Sequence, residues 1–205
     1  SNEFKKVDSL YIADGHHRTA SSFRLSKEKG PKFFMSFLIN EDYIKIYSFN
    51  RILMKLKDLN KENLILELSK KFVIKEIETL DFQSKKENEI LLYIKKDSYS
   101  LIPKKGSYNE DVLSKLSYSI LSKNIINPLF NLDDKSEKIK YHTGKKNIEE
   151  ITEIIDKDKN SLAFILKPIK IKNIRKIADQ NLALPPKSTY IEPKLRSGIT
   201  ILDLK

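Results

Sequence analysis

The chain contains no cysteine. That excludes disulfides and thiol catalysis, and it fits a reducing cytoplasm, the compartment expected here. No apolar run is long enough to span a bilayer, and the first residues carry no signal-peptide pattern, so no membrane partner is expected. Histidine is scarce, with 3 in 205 residues. No zinc-ligand spacing, Walker loop or Ser-His-Asp arrangement occurs, and there is no internal repeat or low-complexity segment. The start also lacks a Met: Ser1-Asn2 reads as a scar of tag removal. The first apolar run follows almost at once, so the expectation is a piece of something longer.

The length fits one large domain or two small ones and is enough to bury a core without staples. Hydrophobic residues make up 40% and charged residues 33%, an ordinary soluble balance. Net charge is +11, from 39 Lys+Arg against 28 Asp+Glu. A polyanion such as nucleic acid would suit that charge. The lysines, however, are spread along the whole chain, with only the doublets Lys95-Lys96 and Lys104-Lys105 standing out. Solvated lysine faces account for this pattern better, so nucleic acid is not the expected partner. Small anionic ligands are easily accommodated in such a field.

The hydrophobic pattern predicts a short buried strand over Leu10–Ala13, then a helix from His16 to Lys29 stopped by Gly30-Pro31. Residues 32–40 (KFFMSFLIN) read as an apolar strand, Asn40–Tyr43 as a turn, and residues 44–53 as the second strand of a hairpin. Further helices are expected over Asp58–Lys71, 109–125 with Asn109 as cap, 147–157 capped by Asn147, and 171–180 ended by Asn181. Asn127-Pro128 is expected to break the chain, and residues 79–89 to hold at most a short helix. Strands are predicted at 72–77, 89–96, 99–104, 138–144 and 161–168, with a last one from Gly198 to Leu204. Strands alternate with helices but hairpins also occur. The fold class is therefore α+β, a mixed, partly antiparallel sheet with flanking helices.

The chemistry concentrates in Tyr11–Phe23, YIADGHHRTASSF. The predicted strand ends, Asp14-Gly15 turns the chain, and a helix begins. A helix N-terminus offers unpaired N–H groups and partial positive charge. Gly15 lets an anion approach the backbone, Arg18 reaches it from one turn on, and His16 and His17 add donors. Asp14 beside a phosphate site serves a metal ion or a base role. The plainer reading is a capped turn with Asp14 as N-cap. Adjacent histidines cannot both face one point on a helix, so a two-histidine metal site fits poorly.

The same stretch resembles the ADGHHR signature of the DUF1015 family, a domain of unknown function. Residues 33–53 resemble that family's hairpin with its arginine at Arg51, and LPPKSTYIEPKLRSG is similar to its closing segment. Asn50 stands where the family often has His, and Leu184 where it often has Met. Members are commonly about twice this length, so the resemblance implies a C-terminal half whose N-terminal partner half is missing. Within it, residues 1–56 would carry the phosphate-cradle strand, helix and hairpin, and residues 57–205 the mixed α/β remainder. More distantly, Gly15-His16-His17-Arg18-Thr19-Ala20 fits the G-x-x-R-x-A pattern of the ParB/sulfiredoxin-like superfamily, which implies such a portion at the N-terminal end. One branch of that superfamily holds free-serine kinases. The resemblance implies that Gly15, His16, His17 and Arg18 bind nucleotide phosphates. Asp14 would then be catalytic, holding Mg²⁺ or orienting the substrate hydroxyl, with ADP or ATP as donor. The important upstream acidic residue of those kinases has no counterpart here, so this chain alone is expected to be inactive.

The tail holds Lys187, Ser188, Thr189 and Lys194 among Pro185, Pro186 and Pro193. A rigid loop of cations and hydroxyls can complete an anion pocket; equally, it can be a loop docking on the sheet before a last strand. His142, at a strand end, reads as structural. Three functions follow in order: a nucleotide-dependent phosphotransferase acting on a small hydroxyl compound, free L-serine at best guess; a nucleotide-binding regulator without transfer; and a nucleic-acid-binding module.

Overall fold

A computed structural model describes residues 2–28, 30, 33–196, 198–199 and 201–202. The chain forms two compact units, Ser1–Lys45 with Ile191–Lys205, and Ile46–Tyr190. The architecture is α+β, as the pattern predicts. Its helices are α1 (His16–Glu28), α2 (Lys61–Lys71), α3 (Ser117–Leu121), α4 (Asn127–Phe130), α5 (Glu149–Lys157) and α6 (Ile171–Asp179). Its strands are β1 (Lys45–Leu53), β2 (Phe72–Ile77), β3 (Ile90–Ile94), β4 (Asp97–Pro103), β5 (Ile139–Thr143), β6 (Leu162–Leu166) and β7 (Thr189–Glu192).

The sheet of the 46–190 unit runs β2-β4-β3-β6-β1-β5, with β7 joined to β1 off this path. Every register along the path is antiparallel. Side chains alternate across it, as period-2 geometry requires. Leu53, Leu92, Phe164 and Leu166 pack on one face with Leu64 and Leu68 of α2 and Ile120 and Leu121 of α3. Ile52, Leu91, Ala163 and Ile165 pack on the other with Ile151 and Ile155 of α5. The central strands β3 and β6 are buried along their whole length, so both faces of the sheet are covered.

Several expected elements come out differently. Leu10–Ala13 is irregular, with Leu10 64% exposed, and residues 33–40 form no strand, with Phe33 64% exposed. Strand formation needs a ladder partner for the backbone, and β1 takes its neighbours from β5, β6 and β7 instead. The hairpin into β1 therefore does not form. Lys32 lies outside the described residues, as do Lys29 and Pro31 at the end of the first helix. That helix closes through Gly30 N–H to the Leu25 carbonyl, 2.9 Å.

Helix α2 starts at Lys61 rather than Asp58, because Asp58 sits at φ 50 and Asn60 accepts the Asn63 N–H at 2.8 Å. Residues 79–89 hold no helix. Glu89 organises that loop by accepting the N–H groups of Gln83 and Ser84. The helix expected from Asn109 begins at Ser117, since the Asp111 carboxylate closes a turn on Leu113 and Ser114. Asn127-Pro128 does not break the chain. A π-helical segment, Ser122–Ile126, leads into α4 with Pro128 in its first turn, where no N–H is needed. Asn131, at φ 51, ends it. No side chain caps α5, so Asn147 is not its N-cap. Asn181 follows α6 in the left-handed region, as expected. Of the last predicted strand, Gly198, Ile199, Ile201 and Leu202 are not extended in a ladder, and Thr200, Asp203 and Leu204 lie outside the described residues. The tail strand is β7.

Candidate functional site

The unit of residues 1–45 and 191–205 carries the ADGHHR turn. No strand precedes it, but the turn and helix are as expected. Gly15 has φ 80, a conformation that side chains disfavour, and its carbonyl takes the Thr19 N–H at 2.9 Å as the first bond of the helix. The Arg18 guanidinium folds back over it: a Cβ on Gly15 would sit 3.3 Å from Arg18 Nη2. The absent side chain thus leaves room for the guanidinium beside the first amides of α1. Backbone dipole and fixed cation meet at one point, which is the composition of an oxyanion cradle.

The Asp14 carboxylate takes a hydrogen bond from Lys194 Nζ at 3.0 Å, both side chains being partly exposed. Partial burial raises its pKa. The Lys194 hydrogen bond and charge, the Gly15 N–H and the Arg18 charge outweigh that and hold the carboxyl below its ordinary value. His16 lines a cleft of about 390 Å³ with Ile12, Thr19, Ala20, Phe23 and Phe34. His17 is exposed. Among the described residues no group of three His, Asp or Glu is placed to hold a metal. Asp14 alone suits a Mg²⁺ that arrives with phosphate oxygens of its own and needs a single protein carboxylate.

The tail residues divide. Lys194 joins Asp14. Lys187, Ser188 and Thr189 belong to the other unit. Lys187, at φ 58, holds its Nζ 5.3 Å from the Phe49 ring centroid. Ser188 is buried and donates to the Pro185 carbonyl at 2.7 Å, and Thr189 opens β7 on the sheet. The docking reading of the loop describes this part. Sequence reasoning missed the aromatic wall of the cleft, because Phe33 and Phe34 carry the same apolar pattern as a buried strand.

A protein family described as of unknown function, DUF1015, matches residues 1–120. The chain belongs to the DUF1015 family. The match takes in Asp14–Arg18 and Arg51 and leaves out the tail. The fold of this DUF1015 chain is similar to that of solved free serine kinase structures. One is a variant in complex with AMP, with TM-score 0.51, 18% identity, and coverage of 88% of this chain and 67% of that one. Another is a variant in complex with ADP, with TM-score 0.50, 20% identity, and coverage of 88% and 66%. The DUF1015 chain thus spans about two thirds of the length of those kinases. A conserved hypothetical protein from Pyrococcus furiosus also matches, at TM-score 0.49 and 16% identity over 91% of this chain and 72% of that one. No curated protein matches.

Proposed function

We propose that this chain is the phosphate-holding part of a nucleotide-dependent phosphotransferase acting on a small hydroxyl compound, with free L-serine as the first candidate. The observation that carries the reading is the Arg18 guanidinium folded over Gly15 at the head of α1. The likeness of fold to kinases solved with AMP and ADP supports it. In this reading the amides of Gly15, His16 and His17 and the guanidinium of Arg18 hold the phosphates of ADP or ATP. His16 marks the step from cradle to cleft, and the apolar cleft takes the base. Asp14 leaves Lys194 to hold Mg²⁺, which would neutralise charge on the phosphates. Lys194 then stands as a second cation for them.

The test is calorimetric titration with ADP, with and without Mg²⁺, followed by a serine phosphorylation assay. Saturable ADP binding that falls about tenfold to a hundredfold in Arg18→Ala is expected. Absence of ADP and ATP binding, or binding indifferent to Arg18→Ala, overturns the reading.

One observation favours a second reading, a nucleotide-binding regulator without transfer. Asp14 is the acidic side chain of the cradle, and its ion pair with Lys194 makes it a weak base. This reading expects the same ADP binding and no phosphorylated product.

A further inference from the structure

Arg51 belongs to the 46–190 unit. It sits in β1 between Tyr141 of β5 and Phe164 of β6, and is 1% exposed. A buried guanidinium is strongly destabilising unless an anion and hydrogen bonds meet it. Arg51 has little of either. Nη1 donates to the Phe49 carbonyl, the guanidinium carbon lies 4.9 Å from the Tyr141 ring centroid, and Nε is buried with no partner. Among the described residues no carboxylate forms an ion pair with it. The carboxylate in its field, Asp134, is engaged by the Tyr141 hydroxyl at 3.3 Å. Burial pushes the Arg51 pKa down, opposed by Tyr141, Asp134 and Tyr118.

Other donors surround this cation. Tyr118, 5% exposed, belongs to the core cluster against which Tyr141 packs, and Tyr141 carries the Arg51 guanidinium on its ring; burial pushes the Tyr118 pKa up, opposed by Ser119, Ser188 and the Arg51 charge. Ser188 is itself buried. Lys187 Nζ stands over Phe49, two residues from Arg51 on the same side of β1. The guanidinium edge keeps an unused N–H, the Lys187 ammonium adds a cation on the same side of β1, and the Ser188 proton is taken by the Pro185 carbonyl at 2.7 Å; what the buried guanidinium lacks is an acceptor. The Nε edge of a guanidinium matches two oxygens of a carboxylate or a phosphate.

We propose that Arg51, Tyr118 and Ser188, all of the 46–190 unit, form an oxyanion site which takes the carboxylate or phosphate group of a small molecule. Ser188 reaches the anion by exchanging its bond to the Pro185 carbonyl for one to the ligand. The site stands whether or not the cradle binds nucleotide.

Thermal unfolding and calorimetry, with inorganic phosphate and with acetate as separate probes, test this. The chain carrying Arg18→Ala removes the cradle's contribution. In that background at least one probe should raise Tm through linkage, and the larger rise tells carboxylate from phosphate. Adding Arg51→Met should remove the rise and weaken binding roughly tenfold to a hundredfold. Arg51→Lys, which keeps the charge without the fork, should give an intermediate loss, as should Ser188→Ala, and both serve if Arg51→Met does not fold. The proposal is overturned if neither anion stabilises the Arg18→Ala chain, or if the rise survives every Arg51 and Ser188 substitution.

Discussion

Single residues divide into those that hold the fold and those that keep a site open. Gly15, in the proposed cradle, is of the second kind. Any side chain there must adopt φ 80 and crowd Arg18. Gly15→Ala is therefore expected to weaken ADP binding by about tenfold while leaving the 46–190 unit intact, checked by calorimetry beside circular dichroism. Glu89 is of the first kind. It is fully buried and accepts from Ser100 Oγ at 2.6 Å, Lys167 Nζ at 2.9 Å and two backbone amides. Removing it leaves Lys167 half-buried without its anion, so Glu89→Ala should cost about 3–5 kcal/mol in urea unfolding. Burial raises the Glu89 pKa, but these hydrogen bonds outweigh it and leave the folded value below the ordinary one. A depressed folded pKa means the stabilisation is complete above the unfolded value and is lost as pH falls through the folded one. Stability measured from pH 7 down to pH 3 should therefore drop in the acid range, and less steeply in Glu89→Gln.

Among the elements, the β3–β4 hairpin shows where the chain is locally strained. Lys95 and Lys96 both have positive φ, 48 and 69, in the tight turn between two buried strands. Such a turn favours Asn-Gly. Lys96→Gly should stabilise the chain by about 1 kcal/mol, read as a rise in the urea midpoint at unchanged slope. The two strands of that hairpin were legible from the apolar runs either side of a polar break, but the joint expected at Lys96-Asp97-Ser98 falls at Lys95-Lys96, and Asp97 and Ser98 pair within β4. Helix starts were less so, because a cap is chosen by competition: Asp111 closes its own turn before Asn109 can open a helix. Residues 33–40 show the same limit from the other side. Their strongly apolar run is that of a strand, yet a strand exists only if a neighbour's ladder reaches it.

The whole molecule carries its buried core in the unit 46–190. The other unit has no buried residue in α1, and it leaves Phe33, Phe34 and Phe37 more than half exposed. Backbone with so little burial opens at low free energy. Chymotrypsin at limiting concentration is expected to cut first among residues 33–37, before any bond between 46 and 190, as mass spectrometry of the early fragments will show. A first cut within the sheet would contradict this division of stability.

What the sequence determined by itself is what local chemistry controls. The apolar runs along 90–94, 99–103 and 162–166 specified strands, the left-handed tolerance of Asn181 ended α6, and Asp-Gly followed by Arg18 specified a turn with a guanidinium on a helix head. The ADGHHR signature also carried the family. The tertiary structure decided everything that depends on residues far apart in the chain. It chose β5, β6 and β7 as the neighbours of β1, gave Asp14 to Lys194, set the Lys187 ammonium over Phe49 and put the Ser188 hydroxyl on the Pro185 carbonyl. A side chain's type fixes what it can bond, whereas its partner depends on which distant strands close the sheet, and no local pattern records that.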